Sequence, residues 1–272
     1  MTLCVRNWRS MPPRPHQRVR VVSAGDLQKI VAAEKLPVTL AALNVDDDAS
    51  VENALGKVLA EHGRLDVLVN NAGIGGGGSV EESSTARFRE VMETNFFGAL
   101  RCIKAVVPGM RERRQGSIVN VTSVNGRLAL APSAAYCASK FALEALSECL
   151  AQEMKAFNVR VAIVEPGVIA TPIFSKAKPS PDNSPYPHAR RQRALFVKSL
   201  TNPTSPYVVG DKIREIVDGD SWQLRYPVGP DAVPFLNWRA SKTDEEVVNL
   251  GAASDADFIL MAKREFGLDV NL

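Results

Sequence analysis

The sequence predicts an α/β fold built on a doubly wound parallel sheet. Short apolar runs rich in β-branched residues, such as Gly116–Thr122 and Val159–Val164, are typical of buried strands. Between such runs lie longer segments with helical spacing or good helix formers, such as Ala49–His62 and Tyr136–Phe157. Strands that alternate with helices in this way form a parallel sheet covered by helices on both faces.

The composition excludes several classes of function. The chain has 272 residues, of which 45% are hydrophobic and 23% charged, as in ordinary globular proteins. Its net charge of +3 is too small to predict a nucleic-acid partner, and no apolar run approaches the length of a membrane span. The cysteines lack metal-ligand spacing and the histidines are scattered, so no metal site is predicted. We expect reduced thiols and a cytoplasmic protein without a signal peptide.

Residues 1–18 differ from the rest of the chain. They are rich in arginine and proline and contain no glycine. Pro12, Pro13 and Pro15 exclude a regular helix between them. We interpret the segment as an atypical basic, proline-rich, disordered arm, although Thr2–Val5 is long enough for a very short strand. Residues 19–272 then form a single domain, with no internal repeat and no linker to a second domain.

Local patterns predict the elements of the first half. They are a strand at Val19–Ser23, a helix at Asp26–Lys35, a strand at Pro37–Leu43, a helix at Ala49–His62 and a strand at Asp66–Val69. Ser83 or Ser84 is expected to cap a helix that continues through Asn95 to about Arg113. The glycines of Gly75–Gly78 are not followed at once by a helix, so we interpret them as a flexible loop over a site rather than a phosphate cradle.

The second half is predicted in the same way. Its elements are a strand at Gly116–Thr122, a helix at Tyr136–Phe157, a strand at Val159–Val164, a helix at Tyr207–Asp218 and a last strand with its exit turn at Arg225–Gly229. The basic run His188–Arg193 is interpreted as a solvated helix face rather than an anion site. Thr243–Glu246 has the spacing of a capping box.

Three side chains point to proton chemistry. Tyr136 and Lys140 are four residues apart on a predicted helix, so they share one face of it. A nearby ammonium favours the phenolate and lowers the pKa of a phenol from about 10 toward neutrality. Ser123 follows a predicted strand, at the sheet edge where open α/β folds bind ligands, and its hydroxyl can hydrogen-bond a carbonyl or alcohol oxygen. A Tyr-x-x-x-Lys pair alone is a weak signal, so the motifs around it decide the interpretation.

Five motifs occur in a recognisable order and spacing. They are Asn70–Gly73, Asn95–Gly98, Ser123, Tyr136–Lys140 and Pro166–Gly167. Together they resemble the short-chain dehydrogenase/reductase superfamily from Val19 onward, and the C-terminal tail resembles its 17β-hydroxysteroid and retinol dehydrogenase-like branch. The resemblance implies a Rossmann-type sheet and reversible hydride transfer between a nicotinamide cofactor and a secondary alcohol or ketone. By analogy alone, the substrate is expected to be small and apolar.

The resemblance also implies roles for individual residues. Tyr136 would be the acid/base, Lys140 would lower its pKa and hold the nicotinamide ribose, Ser123 would orient the substrate oxygen, and Asn95 would complete a proton relay. The implied cofactor contacts are Asn44, Val45, Asn71, Ala72, Gly73, Tyr136, Lys140, Pro166, Gly167, Ile169 and Thr171. Residues 172–206 would form a substrate lid. A homodimer or homotetramer would form through helices matching Thr94–Arg113 and Ala138–Phe157.

The N-terminal region departs from this family pattern. The usual first strand, glycine-rich turn and first helix, which hold the cofactor diphosphate, are missing or replaced. The turn Ser23–Asp26 contains no arginine for an extra phosphate, and Asp26 lies late for a ribose contact, so the choice between NAD and NADP stays open. Three hypotheses follow: an active dehydrogenase, a catalytically silent relative that binds partners, and, least favoured, a nucleic-acid binder using the basic arm.

Overall fold

The computed structural model describes residues 2–6, 24–36, 38–174 and 184–272. The strands are β1 (Thr2–Arg6), β2 (Val38–Ala42), β3 (Val67–Asn70), β4 (Gly116–Val121), β5 (Val159–Pro166) and β6 (Arg225–Val228). The α-helices are α1 (Ala24–Ala33), α2 (Asp48–His62), α3 (Thr85–Met92), α4 (Gly98–Glu112), α5 (Ala134–Lys155), α6 (His188–Ser199), α7 (Tyr207–Asp218), α8 (Ala232–Ala240), α9 (Asp244–Asn249) and α10 (Asp255–Phe266).

The main sheet has four parallel strands in the order β3-β4-β5-β6. Because the strands are parallel, their carboxyl ends meet at one edge, where Asn70 pairs with Asn120 and Pro166 with Val228. Each crossover between these strands contains helix, as parallel pairing requires. The predicted α/β fold with a parallel sheet is confirmed.

The N-terminal strand lies in a second, separate sheet. β1 pairs antiparallel with β2, from Thr2 opposite Ala42 to Arg6 opposite Val38. The disordered-arm interpretation is therefore wrong for Thr2–Arg6, which form the short strand that was its alternative. Residues 7–18 and the predicted strand Val19–Ser23 lie outside the described residues. Within the described part of the chain, β3 has a strand partner on one side only.

Both faces of the main sheet are covered by helices. On one face, β3–β5 pack against α2, α4 and α5 through a core that includes Leu55, Met110 and Ile118. On the other face, Ile216 of α7 packs against Tyr226 and neighbouring strand residues. Burying each large apolar side chain contributes about 1.5–3 kcal/mol, so these two layers hold the strand ends in fixed positions.

Helix ends follow the predicted signals, with one interruption. Ser84 caps α3, and Thr243 forms a capping box with Glu246 at the start of α9. The single helix predicted from Ser84 to about Arg113 is instead three consecutive pieces, because a π-helical turn at Glu93–Phe97 separates α3 from α4. π-turns of this kind are frequent at functional sites, and Asn95 lies inside this one.

The prediction for the basic run His188–Arg193 is wrong at one position. Arg191 of α6 is buried, with 6% of its surface exposed. Its Nε donates to Asp255 at 2.9 Å and its Nη2 to the carbonyl oxygen of Ala253 at 2.8 Å. The helix therefore turns one arginine inward against the start of α10, while Arg190 stays exposed and also contacts Asp255.

Candidate active site

Ser123 lies at the carboxyl end of β4, where the chain enters a short 3-10 turn at Val124–Gly126. Its backbone is extended, and its Oγ accepts a hydrogen bond from the Asn125 amide at 3.1 Å. The same hydroxyl donates to the carbonyl oxygen of Pro166, at the end of β5, at 3.4 Å. The serine is thus held between two neighbouring strand ends, with 7% of its surface exposed.

Tyr136 stands in the first turn of α5 and opens onto the same space. Burial raises the pKa of Tyr136 to about 12, and hydrogen bonding from the Ser123 hydroxyl acts in the opposite direction by favouring the phenolate. The net direction is opposite to the one predicted from the neighbouring lysine alone, because removing the phenolate from water is the larger effect.

Lys140 is buried one turn further along α5. Its Nζ lies 5.7 Å from the centroid of the Tyr136 ring and donates to the Val121 carbonyl oxygen at 3.0 Å. Burial lowers the pKa of Lys140 to about 8, and the charge of Glu144 acts in the opposite direction. The ammonium therefore faces the end of β4 and the tyrosine, as the helical spacing predicts.

Asn95 is fully buried in the π-turn, and its side-chain amide is hydrogen-bonded to other groups of the protein. Its Nδ2 donates to the Ile74 carbonyl oxygen at 3.0 Å and to Ser139 Oγ at 2.9 Å. Its Oδ1 accepts from the Ile74 amide at 2.8 Å. The side chain thus fixes the loop after β3 against the residue that precedes Lys140. This geometry supports a positioning role for the side chain.

The glycine-rich loop after β3 passes very close to the start of α5. A Cβ on Gly76 would lie 3.0 Å from the backbone nitrogen of Tyr136 and 3.0 Å from Val91 Cγ2. A Cβ on Gly73 would lie 3.4 Å from Asn95 Oδ1 and 3.7 Å from Lys140 Nζ. The loop therefore borders the site, and a side chain on Gly76 would make tight contacts with the first turn of α5 and with Val91.

A cavity of about 1170 Å³ opens at the carboxyl edge of the sheet and contains Ser123, Tyr136 and Lys140 in its wall. Most of the predicted cofactor contacts also line it, namely Asn71, Ala72, Gly73, Tyr136, Lys140, Pro166, Gly167, Ile169 and Thr171. Asn44 and Val45 do not line this cavity. Asn44 is exposed, and Val45 is buried against Gly98, where a Cβ would lie 2.7 Å from Val45 Cγ2.

A buried charged cluster behind α5 was not predicted. Glu144 accepts hydrogen bonds from Thr122 Oγ1 at 2.6 Å and from Arg225 Nε at 3.0 Å. Glu165 is fully buried, and neither of its oxygens has a hydrogen-bond partner among the described residues. Burial and the nearby Glu144 raise the pKa of Glu165, while Arg127 at 3.6 Å and Arg225 act against this.

Sequence reasoning also missed the apolar wall of the cavity. It comes from the C-terminal helices and includes Phe235, Trp238, Phe258 and Phe266. Phe266 packs against Phe235 and Trp238, with ring centroids 4.6 and 5.4 Å apart respectively. Phe235 and Trp238 lie three residues apart on α8, which puts them on one helix face. That spacing was the available signal, but it also fits an ordinary helix core.

The comparison with protein families decides the identity. The model described as short chain dehydrogenase matches residues 20–182, which is more than half of the chain. The chain belongs to the short-chain dehydrogenase family. It is therefore an oxidoreductase of a family that uses NAD or NADP.

Individual members of the family support this assignment. The chain is 30% identical to an uncharacterized oxidoreductase of Schizosaccharomyces pombe, over 85% of this chain and 94% of that protein. It is 39% identical to retinol dehydrogenase 8 of Bos taurus, over 70% of this chain and 63% of that protein. A solved short-chain dehydrogenase from Streptomyces avermitilis is 37% identical, with a TM-score of 0.73 over 85% of this chain and 86% of that one.

None of the described helices has the length and apolar character needed to cross a membrane. Among the described residues, no three His, Cys, Asp or Glu side chains group as a metal site requires. Cys137, which adjoins Tyr136, is a free, buried thiol that packs near Asn125 rather than entering the hydroxyl pair.

Proposed function

We propose that this short-chain dehydrogenase interconverts an apolar secondary alcohol and the corresponding ketone by hydride transfer with NAD or NADP. The observation that carries the proposal is that Ser123 and Tyr136 lie in the wall of one cavity, with the buried ammonium of Lys140 one helical turn from the tyrosine. Two hydroxyls that converge on one point can hold a single reacting oxygen between them. When the phenol gives up its proton, the positive charge of the neighbouring lysine stabilises the phenolate that remains.

The residues around this pair fit a nicotinamide cofactor. Gly73 lies in the cavity wall, and a Cβ on it would come within 3.7 Å of Lys140 Nζ, so its bare backbone leaves a cradle beside the lysine. The turn Asn71–Gly73 and the segment Pro166–Thr171 would hold the cofactor from two sides, and Lys140 would hold its ribose. When bound, the cofactor supplies or accepts the hydride. The cofactor contacts proposed for Asn44 and Val45 lie away from this cradle, on the segment after β2.

Tyr136 would move the proton in this reaction. Because burial raises its pKa to about 12, the phenol is protonated near neutral pH. That is the form which donates a proton to a ketone oxygen as the oxygen gains negative charge. Ser123 would hold the same oxygen by a second hydrogen bond, and its contacts with Asn125 and Pro166 keep its hydroxyl in place. Lys140, still largely protonated near pH 7, would stabilise the resulting phenolate.

The cavity supports an apolar substrate. Much of its wall is aliphatic or aromatic, including Leu195, Phe196, Phe235 and Trp238. Burial of an apolar body there removes hydrocarbon surface from water on both partners. The similarity to a protein named retinol dehydrogenase points the same way, since retinol is an apolar alcohol.

A homodimer or homotetramer through the π-turn, α4 and α5 forms part of the proposal. Phe97 and Phe141 each expose 41% of their surface on this pair of helical segments. Exposed phenylalanines of this kind are common at protein interfaces. Light scattering of the purified protein should give a mass of two or four chains, and Phe97→Asp with Phe141→Asp should give a single chain. A wild-type protein that stays monomeric at high concentration would contradict this part.

The test of function begins with the cofactor. Purified protein is titrated separately with NADH and NADPH, and binding is followed by the fluorescence of the bound reduced cofactor. We expect submillimolar binding of one of them and turnover with a panel of apolar ketones. A folded protein that binds neither cofactor at millimolar concentration would contradict the proposal. It would favour the alternative of a catalytically silent relative that acts as a binding module.

A further inference from the structure

One buried cation in the cavity wall is not used by the proposed chemistry. Arg191 of α6 has 6% of its surface exposed and lines the cavity that contains Tyr136. Its Nε and Nη2 are bound to Asp255 and to the Ala253 carbonyl oxygen, and its guanidinium carbon lies 5.6 Å from the centre of the Phe258 ring. Its Nη1 is buried and has no hydrogen-bond partner among the described residues. A charged donor in this state favours a ligand that accepts a hydrogen bond.

Within the part of the chain that the structure describes, the charge around Arg191 is not balanced. Asp255 is shared, because its other oxygen pairs with Arg190 at 2.6 Å. One carboxylate thus faces two guanidinium groups. Arg190 is exposed to water, which screens its charge, whereas Arg191 is buried in the wall. The excess positive charge is therefore felt most strongly inside the cavity.

The rest of the cavity wall does not compensate this charge. Among the described residues that line it, none is Asp or Glu, whereas Lys140 and Arg191 are both cationic. Trp238 adds a second donor of the same kind, since its Nε1 is buried and has no hydrogen-bond partner in the described part of the chain. Donors without acceptors, in a wall that is otherwise largely apolar, select a ligand that carries acceptors on an apolar body.

We propose that Arg191 binds a carboxylate of the substrate, so that the substrate class is an apolar hydroxy or oxo carboxylic acid. The inference rests on the proposed function, because it places the reacting oxygen at Tyr136 and the carboxylate at a second point of the same cavity. A carboxylate offers only acceptors and one negative charge, which matches one free Nη1 and the excess positive charge around it. Trp238 supplies a further donor along the same wall.

Steady-state kinetics with matched probes test this inference. A homologous series of oxo carboxylic acids and their methyl esters is reduced at a pH where the acids are ionised, and the acid-to-ester ratio of kcat/KM is measured. We expect the wild type to prefer some acid of the series by roughly tenfold or more, as for loss of a charge-assisted hydrogen bond. Arg191→Met should bring the ratio close to one, mainly through KM. Arg190→Met is the matched control: it removes an exposed, screened guanidinium and should lower the ratio far less than Arg191→Met.

Other outcomes would overturn the inference. A wild-type ratio near one throughout the series would exclude a carboxylate site. Equal losses for acids and esters in Arg191→Met would show that Arg191 only anchors α10. A loss of NADPH or NADH affinity in Arg191→Met, without an acid preference in the wild type, would assign the arginine to the cofactor. If Arg191→Met does not fold, Arg191→Lys and Trp238→Phe replace it. Both variants should reduce the acid-to-ester ratio of kcat/KM.

A binding measurement separates this inference from the proposed function. Calorimetry compares dodecanoate with dodecanol on the wild type, Arg190→Met and Arg191→Lys, without cofactor or turnover. Tighter binding of dodecanoate, reduced by Arg191→Lys, would support the carboxylate site even in a protein that reduces no ketone. Turnover of apolar ketones with equal binding of the two probes would support the function and contradict the site.

Discussion

Lys140 Nζ donates a hydrogen bond of 3.0 Å to the carbonyl oxygen of Val121, the last residue of β4. The contact ties α5 to the end of β4, two residues before Ser123. It therefore fixes the lysine, the serine and, through α5, Tyr136 relative to one another. The arrangement depends on one buried cation, so changes to that cation should affect chemistry before they affect folding.

Replacing Lys140 by Met should lower kcat/KM for ketone reduction by about 100-fold or more, because the phenolate left on Tyr136 loses its neighbouring charge. Stability should change little, since an apolar side chain of similar length fills the same buried space. Steady-state kinetics and urea unfolding measure the two effects. Lys155→Met, which alters a lysine at the far end of α5, serves as the control. Similar kinetics in both variants would contradict the role of Lys140.

The pH profile of reduction should fall on the alkaline side. Burial lowers the pKa of Lys140 to about 8, so the ammonium is present below that pH and is lost above it. Because the charged form stabilises the phenolate, kcat/KM should decline as pH rises through about 8. Lys140→Arg stays charged across this range and should remove the decline if it retains activity. A wild-type profile that stays flat to about pH 10 would contradict the assignment.

The buried carboxyl of Glu165 should make stability depend on pH. Burial raises the pKa of Glu165 in the folded state. Its contribution to folding stability is therefore complete at low pH and is lost as pH rises through the folded-state pKa. Glu165→Gln should therefore be more stable than the wild type at pH 8 by about 1 kcal/mol, with a smaller difference at pH 5. Urea unfolding at both pH values measures this.

The control for that experiment is Glu148→Gln. Glu148 is exposed and bound by Arg225 at 2.6 Å, which lowers its pKa. It should therefore gain no stability at pH 8 when it is replaced. If both variants gain equally, the effect comes from general charge reduction around Arg225 and not from the buried position of Glu165.

Gly76→Ala should reduce activity through a steric effect. The new Cβ would lie 3.0 Å from the Tyr136 backbone nitrogen, which the helix holds in place. We expect kcat to fall about tenfold, in line with a small displacement of a catalytic group. Gly56→Ala on α2 is the control, because a Cβ there meets nothing within 4 Å. It should keep full activity and gain up to about 1 kcal/mol of stability from helix propensity. Full activity in Gly76→Ala would contradict the close approach.

Local patterns were sufficient for the fold class and for placing Ser123, Tyr136 and Lys140 around one cavity. Alternating strands and helices predict the parallel sheet, and a parallel sheet places Ser123 at the same edge as Pro166. Helical spacing then puts Tyr136 and Lys140 on one face. These inferences succeed because each depends on neighbours in sequence or on one general property of parallel strands.

The remaining features depend on contacts between distant parts of the chain. Arg191 is buried because Asp255, 64 residues later, pairs with it, and no local pattern contains that information. Glu165 lies at the end of an apolar strand, where the sequence alone does not show which layer covers its side chain. The pairing of β1 with β2 joins Thr2 to Ala42 and likewise has no local signal.

The most direct test of the account is the kinetic comparison of Tyr136→Phe with Tyr226→Phe. Both changes remove one phenolic hydroxyl, but Tyr226 lies in the core between the sheet and α7. The account predicts that Tyr136→Phe loses turnover of every apolar ketone by at least about 1000-fold while its affinity for NADH or NADPH stays within a few-fold of the wild type. Tyr226→Phe should keep its turnover. Turnover retained by Tyr136→Phe would contradict the assignment of this tyrosine as the proton donor.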